Sequence, residues 1–135
     1  MKVLIDTSVW SLALRRGPRV ENEVVRELAA LVDDGRVVII GPVRQELLSG
    51  LRERAQFERL REYLRAFRDL ELTSDDYEEA ALAYNRCRSK GIQGSNTDFL
   101  ICAVAIRREL SIFTNDEDFG RYSKLLPIAL HEITT

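Results

Sequence analysis

The sequence predicts an α/β fold, a three-layer α/β/α sandwich around a central parallel sheet of four to five strands. Short apolar runs alternate along the chain with longer segments whose apolar residues recur at helical spacing, as they do in βαβ units. Several runs are apolar throughout, which is typical of strands covered on both faces. With 135 residues, 45% of them hydrophobic, the chain is expected to form one domain over residues 1–135.

Five stretches are predicted as strands. Most are rich in branched aliphatic side chains, which favour extended backbone and pack well inside a covered sheet. In chain order the predicted strands span residues 2–5, 37–40, 70–72, 111–114 and 128–130. The third is brief, and the fifth is expected at an edge of the sheet.

Helices are predicted between the strands from apolar stripes at helical spacing and from the residues that begin and end them. The first follows Asp6 and is expected to end at Gly17-Pro18. Ser74 and Asn96 are expected as N-caps of two later helices. The helices predicted after the first cover residues 20–34, 41–48, 52–66, 75–90, 97–109 and 116–124.

Four acidic residues fall where such a sheet binds ligands. Asp6 closes the first strand, Glu46 lies in the helix after the second, Asp98 opens the helix over 97–109, and Asp116 follows the fourth strand. Carboxyl ends of parallel strands and the N-termini of the next helices meet at one rim of the sheet. Crowded carboxylates require a cation, and oxygen-only ligands favour Mg²⁺ or Mn²⁺. The pattern therefore indicates metal-assisted phosphoryl chemistry, and nuclease chemistry fits it best.

Asp6 and Asp98 also have structural explanations. Asp6 could cap the first helix, but Thr7 and Ser8 can do the same, and a carboxylate directly after a buried strand costs free energy unless it is paired. Asp98 could favour the dipole of its helix, worth roughly 0.3–1 kcal/mol. Because Asn96 is already expected to cap that helix, whose body is apolar nearly all round, a site role is favoured for both aspartates.

Asp116 and Glu46 are weaker candidates when each is taken alone. Asp116 could cap the last short helix, and Asp118 in the same turn is a rival as ligand or support. A glutamate on a short surface helix, such as Glu46, is usually solvated. The site interpretation of these two residues depends on their occurring together with Asp6 and Asp98.

Several other kinds of site are excluded. Cys87 and Cys102 lie in or beside helical apolar patterns without C-x-x-C spacing, and His131, the only histidine, has no nearby ligand partner. A zinc site is therefore not expected, and the cysteines are expected to be buried thiols. The chain contains no P-loop, no G-x-G-x-x-G dinucleotide motif and no G-x-S-x-G nucleophile motif.

The charge balance leaves nucleic-acid binding open. A formal net charge of −2 does not form a basic footprint, although carboxylates neutralised by a metal lower the count without repelling a phosphate. The arginine-rich segment 44–68 has two interpretations. It can be a solvated helix face with ion pairs four residues apart, which is favoured, or an arm that contacts RNA phosphates.

Nothing at the N-terminus is typical of a signal peptide, because Asp6 interrupts the first apolar residues after Lys2. The helix over 97–109 is too short to span a bilayer. A cytoplasmic, reduced protein with no membrane partner is therefore expected.

Taken together, four stretches resemble motifs of the PIN-domain family, and within it the VapC-type ribonuclease toxins of VapBC toxin–antitoxin modules. In one-letter code the matching stretches are VLIDTSVW (3–10), VRQELLSG (43–50), TDFLICAVA (97–105) and TNDEDF (114–119). Their order and spacing agree over nearly the whole chain.

The resemblance implies a PIN fold, RNA cleavage that depends on Mg²⁺ or Mn²⁺, homodimers that can enter a higher toxin–antitoxin assembly, and a small antitoxin that blocks the site. The family's acidic quartet corresponds to Asp6, Glu46, Asp98 and Asp116, as catalytic and metal-binding residues. Thr7 or Ser8, and Thr114, correspond to supporting polar positions.

The function predicted from the sequence is therefore a metal-dependent endoribonuclease that acts as the toxin of a type II module. One alternative is a catalytically silent PIN-like module that binds RNA or protein. Another is a phosphoacceptor signalling domain, which also clusters acids around Mg²⁺. That domain expects an aspartate at the end of the middle strand, where this chain has Thr73-Ser74, so it is disfavoured.

Overall fold

The computed structural model describes residues 1–14 and 22–133. Four parallel strands form one sheet with the spatial order β2-β1-β3-β4. The strands are β1 (Val3–Ile5), β2 (Val37–Val38), β3 (Ser111–Phe113) and β4 (Ala129–Leu130). The helices are α1 (Thr7–Leu14), α2 (Glu23–Asp33), α3 (Gly41–Leu48), α4 (Arg54–Leu64), α5 (Ser74–Ser89), α6 (Asn96–Arg108) and α7 (Asp118–Tyr122). The predicted α/β class with a parallel sheet of four to five strands is confirmed, and the sheet of the described residues has four.

Strand β1 lies at the centre of the sheet. Val3 pairs with Val37 of β2 on one side and with Ser111 of β3 on the other. Because helices cover both faces of a parallel sheet, a central strand must be apolar along its whole length. All three residues of β1 are fully buried, as its unbroken apolar run predicts.

Helix α6 forms the interior of one layer. Seven consecutive residues, Phe99 to Ala105, are buried on all sides, and α5 packs extensively along it. A helix without a polar face is stable only inside the protein. Asp98 therefore sits at the N-terminal end of a rigid, buried element.

Two predicted caps are displaced by one residue. Ser95 caps α6 and accepts a hydrogen bond from the N–H of Asp98, whereas Asn96 is the first helical residue. Thr73, and not Ser74, caps α5 in a capping box with Asp76. Adjacent polar residues can each serve as N-cap, and the extended backbone of Ser95 and Thr73 decides between them.

The strand predicted over 70–72 is wrong. The sheet ladder on that side ends after Val38, and only an isolated parallel bridge joins Ile39 to Asp69. Other elements are shorter than predicted, notably α7, which covers Asp118–Tyr122 within the predicted 116–124. The predicted helix end at Gly17-Pro18 lies outside the described residues. Among the described residues, none of the helices has the length and apolar character that crossing a bilayer requires.

A buried ion-pair network joins the start of α5 to the end of α6. The side chain of Asp76 is fully buried, and its two oxygens accept hydrogen bonds from Arg107 at 2.5 Å and Arg108 at 2.7 Å. Burial alone would raise the pKa of Asp76, but the backbone N–H of Thr73 and the two guanidinium groups hold it below its ordinary value.

Asp76→Ala is expected to lower the free energy of unfolding by about 3 kcal/mol, the lower end for a broken buried pair, because both arginines are partly exposed. Urea titration at pH 7 measures the loss. The matched control is Asp75→Ala, since Asp75 is 74% exposed and 3.6 Å from Arg107, and it should cost less than about 1 kcal/mol.

The loss from Asp76→Ala should depend on pH. Because the folded-state pKa of Asp76 is depressed, its contribution is complete above the ordinary value of 3.8 and disappears as the pH falls below it. Equal losses in the two variants at pH 7 would contradict this role of Asp76.

Candidate functional site

The carboxyl ends of β1 and β3 meet at one rim of the sheet. These neighbouring strands run parallel, with Ile5 opposite Phe113, and the N–H of Asp6 continues the ladder by donating to the carbonyl of Phe113 at 2.9 Å. The chain leaves β1 at Asp6 and leaves β3 toward Asp116. The register therefore brings two of the predicted acids to the same end of adjacent strands.

Asp6 is a buried carboxylate with two hydroxyl donors. Its side chain is 4% exposed, and Oδ2 accepts hydrogen bonds from Ser8 Oγ at 2.7 Å and Thr114 Oγ1 at 2.8 Å. Burial raises the pKa of Asp6, and the hydrogen bonds from Ser8 and Thr114 oppose that rise. The predicted supporting residues are thus Ser8 and Thr114, while the buried hydroxyl of Thr7 has no partner among the described residues.

The same two hydroxyls tie the loop after β3 to Asp6. Thr114 Oγ1 accepts a hydrogen bond from the N–H of Asp116 at 3.0 Å, and Ser8 Oγ accepts one from the N–H of Asn115 at 2.9 Å. Each hydroxyl donates to Asp6 and accepts from the loop. The positions of Asp6 and Asp116 are therefore coupled through two short side chains.

Both the backbone and the side chain of Asp98 are held by hydrogen bonds. Its N–H donates to Ser95 Oγ at 3.0 Å, and its Oδ2 accepts a hydrogen bond from the hydroxyl of Tyr122 at 2.7 Å. Burial raises the pKa of Asp98; the Tyr122 hydrogen bond opposes the rise, while the like charges of Asp6 and Asp116 add to it. The electrostatic effect shows that the three aspartates share one region.

Three aspartates form the most compact acidic group among the described residues. Asp98, Asp116 and Asp118 each offer a carboxylate oxygen, and these oxygens lie within 4.8 Å of one another. The N–H of Asp118 donates to Asp116 Oδ1 at 2.9 Å, so one turn presents both. Arg121 pairs with Asp118 at 2.9 Å. An all-oxygen set of this size fits a hard divalent cation.

The structure brings the predicted residues together unequally. Asp98 and Asp116 lie in the compact group, and Asp6 adjoins it closely enough to raise the pKa of Asp98. Glu46 is exposed on α3, which follows β2 on the other side of β1, and it is not in the group. Asp118, a rival ligand in the sequence, is a full member.

Tyr122 is a site residue that sequence reasoning missed. Its side chain is fully buried, and burial and then the Asp98 carboxylate raise the pKa of its phenol, so it remains a hydrogen-bond donor. The only available signal was its spacing of three residues from Phe119 on one apolar face. That spacing is typical of core packing and does not indicate a contact with Asp98.

The arginine-rich segment has defined structural contacts. Arg44 binds the carbonyls of Leu64 and Phe67 and the carboxylate of Asp69, and so fastens α3 to the end of α4. Arg54 pairs with Glu58 four residues later. These contacts agree with the interpretation as a helix face with ion pairs.

The sequence matches the PIN domain family over residues 3–125. This chain belongs to the PIN domain family. The predicted family resemblance is confirmed over nearly the whole chain. No curated protein sequence matches this PIN domain significantly.

Solved structures with the same fold include a member of the VapBC family of toxin–antitoxin systems. VapBC2 from Rickettsia felis bound to a promoter DNA fragment superposes with a TM-score of 0.78 at 18% identity, over 97% of this PIN domain and 98% of that chain. FitAcB from Neisseria gonorrhoeae gives 0.74 at 22% identity, over 96% of both chains. VapBC-5 from Mycobacterium tuberculosis gives 0.71 at 22% identity, over 98% of both.

Thr114→Val should lower the free energy of unfolding by about 1–3 kcal/mol, because the buried Asp6 carboxylate loses a donor and the N–H of Asp116 loses its acceptor. Urea titration of metal-free protein measures the change. Thr97→Val, outside this network in the first turn of α6, is the matched control. An equal, small effect of both substitutions would contradict the coupling of Asp6 to Asp116 through Thr114.

Proposed function

We propose that this PIN domain is a metal-dependent endoribonuclease that acts as the toxin of a type II toxin–antitoxin module. The observation that carries the proposal is the group of three carboxylate oxygens within 4.8 Å at the carboxyl ends of the parallel strands. The likeness of the fold to VapBC and FitAB proteins supports the biological context.

Asp98, Asp116 and Asp118 would hold a divalent cation, for which Mg²⁺ or Mn²⁺ is the best match to oxygen ligands. When bound, such a cation neutralises charge on a phosphodiester and makes a water a stronger nucleophile at neutral pH. We keep Asp6 and Glu46 in the proposed catalytic set. Asp6 adds negative charge beside Asp98, and Glu46 would act from the β2 side of the rim.

Side chains of this domain orient the carboxylates of the site and accept the proton that the reaction releases. Ser8 and Thr114 hold Asp6 by one oxygen and hold the loop that carries Asp116. His131, the only histidine in the chain, pairs with Glu27 at 2.5 Å. We therefore assign acceptance of the proton from the attacking water to an aspartate carboxylate of the group.

The partners are proposed from the same context. Among the similar structures are a toxin–antitoxin complex from Klebsiella pneumoniae and VapBC2 from Rickettsia felis bound to a promoter DNA fragment. We propose that this chain likewise binds a small cognate antitoxin, forms a homodimer and works on RNA in the cytoplasm, where Cys87 and Cys102 remain thiols. The proposed single domain covers residues 1–135.

Asp98→Asn is expected to reduce metal-dependent cleavage of total RNA by more than about 100-fold, because it removes a charged ligand from the centre of the group. The same variant should be at least as stable as the parent protein without metal, since one of several repelling charges is gone. Cleavage is measured with mapped RNA ends in Mn²⁺ and in EDTA, and stability by urea titration.

Asp33→Asn, at the exposed end of α2, is the matched control and should cleave RNA normally. Undiminished cleavage by Asp98→Asn, or cleavage that persists in EDTA, would refute the proposed site. A parent protein that binds RNA but never cuts it would instead support the silent binding module.

A further inference from the structure

Tyr122 reaches Asp98 from a fixed position in the core. Its ring lies 4.9 Å from that of Phe99 and 5.2 Å from that of Phe119, between centroids. The side chain is fully buried, and its hydroxyl donates to Asp98 Oδ2 at 2.7 Å. A packed ring of this kind cannot follow the carboxylate if it moves, so the hydroxyl is a fixed point for Asp98.

Gly94 leaves the space that the Tyr122 hydroxyl occupies. A Cβ built on Gly94 would lie 2.2 Å from Tyr122 Oη, 2.8 Å from Cζ and 3.0 Å from Phe99 Cε2. Atoms cannot approach so closely, and both rings are packed, so a larger residue at this position must displace the tyrosine. The loop before α6 is therefore shaped around this one hydroxyl.

We infer that Tyr122 is a positioning residue that orients the Asp98 carboxylate toward a divalent cation. The inference rests on the proposed function, because it concerns the same metal centre. Asp98 shares the compact group with Asp116 and Asp118, and repulsion between these like charges favours rotation of its side chain out of the group. A hydrogen bond to one oxygen restrains this rotation, as outer partners of metal ligands generally do. The neutral hydroxyl does so without competing for the cation.

A second tyrosine provides the matched comparison. Tyr84 of α5 also packs against Phe99, with centroids 5.5 Å apart, but its hydroxyl accepts from Arg88 at 3.0 Å. Tyr122→Phe and Tyr84→Phe each remove one oxygen from a ring that touches Phe99. Only the first substitution removes a donor to a candidate ligand.

The test is the affinity for Mn²⁺ alone, measured by isothermal titration calorimetry on metal-free protein. Tyr122→Phe should raise the dissociation constant about 10-fold to 100-fold, the usual range for loss of an outer partner. Tyr84→Phe should leave the dissociation constant unchanged. The Mn²⁺ concentration for half-maximal RNA cleavage should rise by the same factor as the dissociation constant. A purely structural tyrosine would lower stability in EDTA without changing Mn²⁺ affinity.

Gly94→Ala is an independent variant for the same test. It should also weaken Mn²⁺ binding, and by less in a Tyr122→Phe background, because the closest clash, with Oη, is gone. If Tyr122→Phe fails to fold, the Mn²⁺ affinity of Gly94→Ala tests the role of Tyr122 in its place.

The possible outcomes separate the inference from the proposed function. Parent-like Mn²⁺ affinity in folded Tyr122→Phe would overturn the inference and leave the metal centre standing. Failure of the parent protein to bind Mn²⁺ would overturn both.

Discussion

Repulsion between carboxylates is the constraint on which the rest of this structure depends. Burial and, after it, the like charges of Asp6 and Asp116 raise the pKa of Asp98, and burial raises the pKa of Asp6 as well. Like charges that are held together in a partly buried site lower the stability of the fold. Such clusters are typical of functional sites. We propose a divalent cation as the partner that would turn the repulsion into attraction.

Helix α6 shows how the fold supports that arrangement. At its C-terminal end, Arg107 and Arg108 meet the buried carboxylate of Asp76, so opposite charges are paired. At its N-terminal end, Asp98 meets aspartates of the same sign. The apolar body between the two ends is buried on every side and prevents the helix from shifting. The paired end anchors the element whose other end carries the site.

The hydroxyl groups perform the finer positioning. Ser8 and Thr114 each connect Asp6 to the loop after β3, and Tyr122 connects Asp98 to the last helix. Each is neutral and donates to a carboxylate oxygen, so it stabilises the charge without neutralising it. A lysine or arginine in the same place would compete with a cation for the carboxylates.

The features of the fold and the site that depend on the periodicity of apolar residues could be predicted from the sequence. The apolar run of β1 predicts a central strand, and strand ends and helix starts predict that Asp6, Glu46, Asp98 and Asp116 converge. Asp98 and Asp116 lie in the compact group and Asp6 adjoins it, whereas Glu46 lies outside it. Contacts that depend on side-chain geometry could not be predicted from the sequence. Tyr122 meets Asp98 across 24 residues of chain, and no local pattern records that contact. The membership of Asp118 depends on how one turn is oriented.

The errors in the prediction have similar causes. Residues 70–72 look like a strand because leucines flank a glutamate, but pairing needs a neighbour in register, and the ladder on that side ends after Val38. Ser95 and Asn96 are both good caps, and only the backbone conformation distinguishes them. For the cap, the local sequence correctly predicted a polar residue at the start of the helix. For residues 70–72, the local preference for a strand was overridden because no neighbouring strand pairs with them.

Anomalous diffraction at the manganese edge from Mn²⁺-soaked crystals would show directly whether the three aspartates bind a divalent cation. A peak is expected at about 2.1 Å from carboxylate oxygens of Asp98, Asp116 and Asp118, a distance typical of a small divalent cation with oxygen ligands. The absence of a peak there in fully soaked crystals, or a single peak elsewhere on the molecule, would contradict the proposed metal site.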